Sequence, residues 1–493
     1  MKPEDRTLLI QALSKMGSQG RAESEPTQTF SKTFYPVSDH LQVFDPDAAL
    51  IIGDRGSGKS ELFRAVVQEN LLPAILRQIS PSRTLFFDPA QGEWLAGYPM
   101  GTKFVDASGL RRVMEENNSN PDVITDLWFA YLIRITASKM DDEAQSLFSL
   151  LLNFQGGDVD RIFSNFNKLR SEPLLAMDRL DEGLRKSDRW LFISYDELDT
   201  LGGYDWKAMD WAIRGLIDFW VNYSRRWQRI RAKIFIRTDL YRRHSQTYGA
   251  DLIKLASNRV ELTWNDRNLY AMLIKRMANS SPELTNYCKN GGMRLIEDQQ
   301  LGFIPQMSWD EDARKLIEMM IGPYMGANVN KGQTFNWLLD HIRDGKGAAV
   351  PRPLVRLIEL AALQEINLLK ASTDRLLHPT ALRRALDEVS KEHVLQVNTH
   401  ELPWLSGVAQ RLDGASVPMS QREVENLLEK DWNGTWGLPR DVAVRPGFSN
   451  KQEMVNYLLE IGVFRHRGEE KLDVPDLYMS GLGMKRKGGV RRK

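Results

Sequence analysis

With 493 residues, 42% of them hydrophobic and 27% charged, the chain can bury more than one core and has room for roughly two to four domains. Its 66 basic residues balance 65 acidic ones, so no global field attracts polyanions, and nucleic-acid contact has to come from a local patch. A single cysteine, Cys288, excludes an intrachain disulfide and a cysteine-based zinc cluster, and no apolar run approaches the roughly twenty residues that span a bilayer.

The first residues, Met1-Lys2-Pro3-Glu4-Asp5-Arg6, have no hydrophobic stretch behind a basic start; the expectation is no secretory signal and a reducing, cytoplasmic setting. Glu4 to Lys15 reads as a short amphipathic helix carrying Leu8, Leu9, Ile10 and Leu13, and Gly17 to Thr29 as a polar linker. Alternation of strands and helices then predicts a parallel sheet flanked by helices. Ala48 to Ile52 is the first strand, followed by Gly53-Asp54-Arg55-Gly56-Ser57-Gly58-Lys59-Ser60, which fits the phosphate-binding pattern G-x-x-x-x-G-K-[ST]. Glycines in such a loop let backbone N–H groups close on phosphate oxygens, and a helix beginning near Lys59 and running to about Asn70 turns its positive end on the anion. In that arrangement Lys59 reaches the β- and γ-phosphates of ATP, Ser60 holds Mg²⁺, and Glu61 in the first turn borders the nucleotide.

Thr84 to Asp88 is expected as the second strand. From about residue 122 to 186 the apolar spacing is helical, with Trp128, Tyr131, Leu132, Ile135, Leu147, Leu150 and Leu151 as expected core positions of an insertion. The strand Trp190 to Tyr195 ends in Asp196-Glu197-Leu198-Asp199. Phosphoryl transfer needs charge neutralisation and an oriented nucleophile, so Asp196 reads as the Mg²⁺-side carboxylate and Glu197 as the residue that polarises the attacking water. A third apolar run, Ala232 to Asp239, ends at Thr238, the candidate contact to the γ-phosphate or the water, with Arg237 and Asp239 as substitutes. Arg259 stands where a helix runs into a fifth strand and is the candidate arginine finger, the alternative being an ordinary surface ion pair. Arg225, Arg226, Arg229, Arg231 and Lys233 form a basic cluster beside Trp220, Tyr223 and Trp227, read as the exposed face of a helix rather than a nucleic-acid patch. Arg352 and Arg356 open an apolar helix from Leu357 to Leu369 and are placed to reach a nucleotide from a helical lid.

The segments Gly53 to Ser60, Leu191 to Asp199, Ile234 to Asp239, Asn258 to Trp264 and Pro351 to Leu360 together resemble the AAA+/STAND group of P-loop ATPases, in particular bacterial relatives of archaeal origin-recognition ATPases often met in phage-defence and other conflict systems. The resemblance covers roughly residues 36 to 372. It implies an ASCE-type α/β P-loop NTPase with a five-stranded sheet of order 5-1-4-3-2, a helical lid, and ATP-dependent switching or assembly. Under it the chain divides into an N-terminal helix and linker (1–35), a P-loop core with the helical insertion (36–275), a lid (276–372) and a C-terminal module (373–493). The long helical insertion before Asp196 departs from the pattern.

In the last third, helices at Leu382 to Val394, Gln421 to Leu428 and Lys451 to Leu459 precede a hairpin around Arg467-Gly468-Glu469, which resembles a winged-helix module. The chain ends in a basic tail, Lys485 to Lys493, that can contact phosphates. The partners this reading admits are a second copy of the chain, a protein encoded nearby, and DNA or RNA through the C-terminal module and tail. Scattered histidines and the absence of Gly-x-Ser-x-Gly offer neither zinc nor a serine-hydrolase nucleophile. The leading expectation is an ATP-hydrolysing switch. The alternative is a nucleic-acid-binding adaptor that keeps ATP as a slowly hydrolysed structural ligand; a P-loop kinase is disfavoured by Asp196-Glu197.

Overall fold

A computed structural model describes residues 3–17, 26–79, 88, 91–99, 106–152, 159–169, 171–203, 205–242, 257–307, 310–368, 375–400, 402–430, 432, 436, 448–468 and 470–487. The chain forms two compact units, one of Pro36–Thr263 and one that joins Met1–Tyr35 to Trp264–Lys493.

The first unit is built on five parallel strands: β1 (Leu50–Gly53), β2 (Gly92–Tyr98), β3 (Trp190–Tyr195), β4 (Ile230–Arg237) and β5 (Val260–Glu261). Their spatial order is β2-β3-β4-β1-β5, the order 5-1-4-3-2 that the resemblance implied. β1 and β4 are buried almost throughout, as a parallel sheet covered on both faces requires. On one face Leu50, Ile52, Leu191, Ile193 and Tyr195 meet the helices Pro121–Thr136 and Trp206–Tyr223 through Trp128, Ile213 and Trp220. On the other, Trp94 stacks on Phe192 at 4.5 Å and Phe63 meets Phe235 edge-on at 6.0 Å.

β2 is not the strand the sequence suggested. Thr84 to Phe87 lie outside the described residues, and the strand hydrogen-bonded to β3 is Gly92–Tyr98. The insertion is helical, as expected, over Pro121–Thr136, Asp142–Leu147, Val159–Lys168 and Glu172–Lys186. Trp128, Tyr131, Leu132 and Leu151 are buried; Ile135 is half-buried, and Leu147 is 40% exposed because it ends a six-residue helix that turns its other face inward. The side chain of Leu150 lies outside the described residues.

The basic cluster is also redistributed. The helix stops at Tyr223, so Arg231 and Lys233 belong to β4 and not to a helix face. Arg226 pairs with Asp178 at 2.6 Å, Arg229 pairs with Asp188 at 2.9 Å and lies 4.4 Å over the Trp190 ring, and Lys233 is fully buried, donating to the carbonyls of Asp45 and Ala48. Burial drives the Lys233 ammonium down to about 7. Arg225 and Arg226 remain exposed, as expected, and only Lys233 is spent inside the fold.

In the second unit the N-terminal helix Pro3–Leu13 packs against the helix Pro351–Leu368, and its Arg6 is buried against Glu365 at 2.8 Å. A hairpin, β6 (Leu295–Asp298) with β7 (Gly302–Pro305), flanks the buried helix Asp266–Ser280. The long helix Pro379–His400 leads into three shorter ones, Leu405–Leu412, Gln421–Glu429 and Lys451–Glu460. Around them lie β8 (Ser416–Val417), β9 (Met419–Ser420), β10 (Arg465–His466), β11 (Lys471–Asp473) and β12 (Lys485–Arg486). β10, β11 and β9 form an antiparallel sheet in that order, and β12 pairs parallel with β8. The expected helices and hairpin are therefore present. The basic tail begins as a strand of this module, and residues 488–493 lie outside the described ones.

Candidate functional site

At the carboxyl edge of the sheet the chain leaves β1, β3 and β4 side by side, with Gly53 in register with Arg237 and Tyr195 in register with Ile234. This edge of an open parallel sheet is where ligands bind, because strand ends and helix starts converge there. The loop leaving β1 turns through two left-handed glycines, Gly56 (φ 75°) and Gly58 (φ 92°), and enters a helical run over Lys59–Phe63 that continues as a π segment, Arg64–Gln68. At Gly53 a Cβ would come within 2.3 Å of the Ser57 hydroxyl, so any larger residue there would make Ser57 turn its side chain away.

Lys59 is 9% exposed and curls back to donate to the carbonyls of Gly53 (2.7 Å) and Asp54 (3.0 Å). Burial lowers its pKa, opposed chiefly by the neighbouring Asp196. Asp196 is 4% exposed; burial pushes its carboxyl up to about 6, and a hydrogen bond with the Ser60 side chain works against that rise. Ser60 and Asp196, placed apart in the sequence, thus meet as a hydroxyl and a carboxylate. Such hard oxygen donors suit Mg²⁺, which keeps much of its coordination for water and phosphate.

Glu197 follows in a left-handed backbone conformation, φ 52° and ψ 30°, a strained geometry for a non-glycine residue that costs on the order of 1–3 kcal/mol. Two contacts brace it: Thr200 donates to the Glu197 carbonyl at 2.8 Å, and the Tyr98 and Thr200 hydroxyls are bonded at 2.7 Å. The Asp196 N–H donates to the Tyr98 carbonyl, tying the turn to β2.

Arg237, the last residue of β4, supplies the second buried cation, 7% exposed. Its guanidinium makes a two-pronged contact with Asp239 (3.0 and 2.7 Å) and reaches Asp199 at 3.2 Å. Burial acts to raise the Asp239 carboxyl, and the guanidinium more than offsets it, holding it below the usual range. Lys59, Ser60, Asp196, Asp199, Arg237 and Asp239 therefore form one charged cluster, with Glu197 at its rim. Thr238 begins the helical turn 238–242 and is half-buried. In register, Arg237 lies opposite the first loop glycine, Gly53.

Arg259 stands at the amino-terminal end of β5, 46% exposed, 3.4 Å from Glu261 and 6.0 Å from the Tyr241 ring, apart from this cluster. Arg352 lies in the first turn of the helix Pro351–Leu368, in the other unit. In that same helix Arg356 is held by Glu392, with two contacts of 2.8 Å, and by Glu359.

No protein-family model and no curated protein matches the chain. Among solved structures it is similar to the Aeropyrum pernix ORC1 protein in complex with DNA (13% identity over 92% of this chain and 93% of that one, TM-score 0.35). It is also similar to the Aeropyrum pernix ORC2 protein in its ADPNP–ADP complexes (11%, 90% and 91%, TM-score 0.29) and to a Walker-type ATPase of Pyrococcus abyssi (11%, 94% and 99%, TM-score 0.37). The loop, the strand order and the carboxyl-edge cluster give the chain the fold of an α/β P-loop NTPase with a largely helical C-terminal part.

Proposed function

We propose that the chain is an ATP-binding and ATP-hydrolysing molecular switch or assembly factor of the AAA+ kind. The observation that carries this reading is the meeting of Lys59, Ser60 and Asp196 at the mouth of the glycine loop, with Glu197 beside them. Loop N–H groups from Asp54 to Ser60 bind phosphate oxygens, and Lys59 exchanges its two carbonyl partners for the β- and γ-phosphates. Ser60 and Asp196 would hold Mg²⁺, whose chemistry is to neutralise the phosphate oxygens and bind the terminal group in place. Glu197 orients the attacking water and takes its proton, and Arg237 places positive charge on the γ-phosphate side of the site. Arg259 serves a neighbouring copy of the chain as an arginine finger, and Arg352 answers to the nucleotide from a lid spanning residues 276–372.

The helices and the antiparallel three-stranded sheet of the C-terminal module support a winged-helix reading over 373–493. Nucleotide state is thereby coupled to nucleic acid or to a protein encoded nearby, as the resemblance to conflict-system ATPases suggests. The test is a pair of variants. Lys59→Ala is expected to abolish nucleotide binding; Glu197→Gln is expected to keep it and slow turnover by about a hundredfold or more. ATP bound normally by Lys59→Ala would overturn the site, and wild-type turnover in Glu197→Gln would overturn the assigned base.

A further inference from the structure

In the C-terminal module three exposed lysines lie on or beside its strands, whereas the helix Lys451–Glu460 offers no free cation. Along Lys451–Glu460 the exposed residues are Gln452, Glu453, Asn456 and Glu460, and the helix's one cation, Lys451, lies 2.5 Å from Glu429. A duplex backbone brought against that face meets carboxylates and no free ammonium. The sheet edge is the reverse. In the β12 ladder the N–H groups of Lys485 and Lys487 donate to the carbonyls of Ala415 and Val417, so these two side chains share a face and Arg486 takes the opposite one. Arg486 is committed there to Asp473 at 2.9 Å and Asp476 at 2.7 Å.

Lys471 stands on β11, the middle strand of the neighbouring three-stranded sheet, opposite Ser420 of β9, and β9 follows β8 after a single residue. Lys471, Lys485 and Lys487 are all exposed, and none makes an ion pair among the described residues. Glu423, whose carboxyl is held low first by the Ser420 N–H and hydroxyl, also feels the Lys487 and Lys471 ammoniums, consistent with the two lysines lying near one another around Ser420.

We infer that the surface carrying Lys471, Lys485 and Lys487, on the two small sheets that flank residues 416–420, is a sequence-independent contact surface for the phosphate backbone of duplex nucleic acid, and that the helix Lys451–Glu460 does not enter a groove. This rests on the nucleic-acid side of the proposed function and is independent of hydrolysis. Contacts of this kind give binding that falls steeply with salt and reads no bases.

The experiment is fluorescence anisotropy of the full chain with a labelled DNA duplex of about 20 bp and arbitrary sequence, over about 50 to 200 mM salt. The variant Lys471→Gln/Lys485→Gln/Lys487→Gln is expected to lose tenfold or more in affinity at the lowest salt. The slope of log K against log salt should shrink by about 0.9 for each lysine that met a phosphate. Gln452→Ala/Asn456→Ala is expected to bind as the wild type does, and shuffled duplexes to bind equally. Unchanged affinity in the triple lysine variant, or a loss confined to the helix variant, overturns the inference. So does a wild-type chain that binds a fluorescent ATP analogue but no duplex, an outcome that leaves the nucleotide reading standing.

Discussion

Arg237 decides how much of the candidate site is electrostatic design. Without it, Asp196, Asp199, Asp239 and Glu197 face an anionic ligand with Lys59 as the sole buried cation of the cluster. Arg237→Ala is therefore expected to weaken ATP binding by tenfold or more. Arg237→Lys should recover only part of it, since an ammonium cannot make the two-pronged contact with Asp239. Titration with a fluorescent ATP analogue checks this, and unaltered affinity in Arg237→Ala would remove the residue from the site. At Gly58 the limit is conformational: φ of 92° lies outside the range of an alanine, so Gly58→Ala should cost about 1 kcal/mol or more of stability and loosen the loop. The loop itself was legible in the sequence because its chemistry is written in consecutive residues, and Asp196 because it ends a strongly apolar strand. Residue type alone left Thr238, Arg237 and Asp239 all as candidates; that Arg237 lies opposite the first loop glycine is visible only in the register of β4 against β1.

The same contrast between local and borrowed signals holds for the elements. β3 and β4 were legible as apolar runs, whereas β2 was missed because every residue but one along Gly92–Tyr98 is half-buried. Its Gly97 is needed not for a turn but because a Cβ there would meet the Tyr195 ring at 2.5 Å, a contact visible only across the sheet. β4 begins where it does because the Asp181 carboxylate, on the helix Glu172–Lys186, accepts from the N–H groups of Gln228, Arg229 and Ile230 at 2.9, 2.7 and 3.1 Å. Asp181→Ala leaves those donors unmatched and is expected to cost about 3 kcal/mol in urea unfolding. Ahead of β1, the Val37 N–H donates to Nδ1 of His40, which is 3% exposed, and burial lowers the imidazole to about 4. Both states are neutral at that ring above about pH 6.5; as pH falls, the unfolded chain takes the proton first. Stability should therefore drop between about pH 6.5 and 4, by about 3 kcal/mol in all, and His40→Gln should remove that part of the acid limb.

Over the whole molecule, the chain visits one unit twice: Met1–Tyr35 joins Trp264–Lys493, and the described residues of the Lys59 cluster all lie in Pro36–Thr263. Arg6 secures the early segment to its unit. Its guanidinium donates to Glu365 at 2.8 Å and to the carbonyls of Arg375 and Leu376 at 2.8 and 3.1 Å, while Glu365 also accepts from the backbone and ring of His378. Arg6 and Glu365 are 7% and 3% exposed, so removing the arginine takes from a buried carboxylate its guanidinium and leaves it only His378 among the described residues, at a cost of about 3 kcal/mol. Under the proposed function ATP binds only the folded state of the other unit and stabilises it by mass action. Calorimetry of wild type and Arg6→Ala, each with and without ATP and Mg²⁺, should then resolve two transitions. Nucleotide should raise one, and the substitution should lower the other by on the order of 10 °C, given a few degrees per kcal/mol for units of this size. A single transition that both perturbations move together would mean that the two units unfold as one, and that the N-terminal helix stabilises the nucleotide site as well as its own unit.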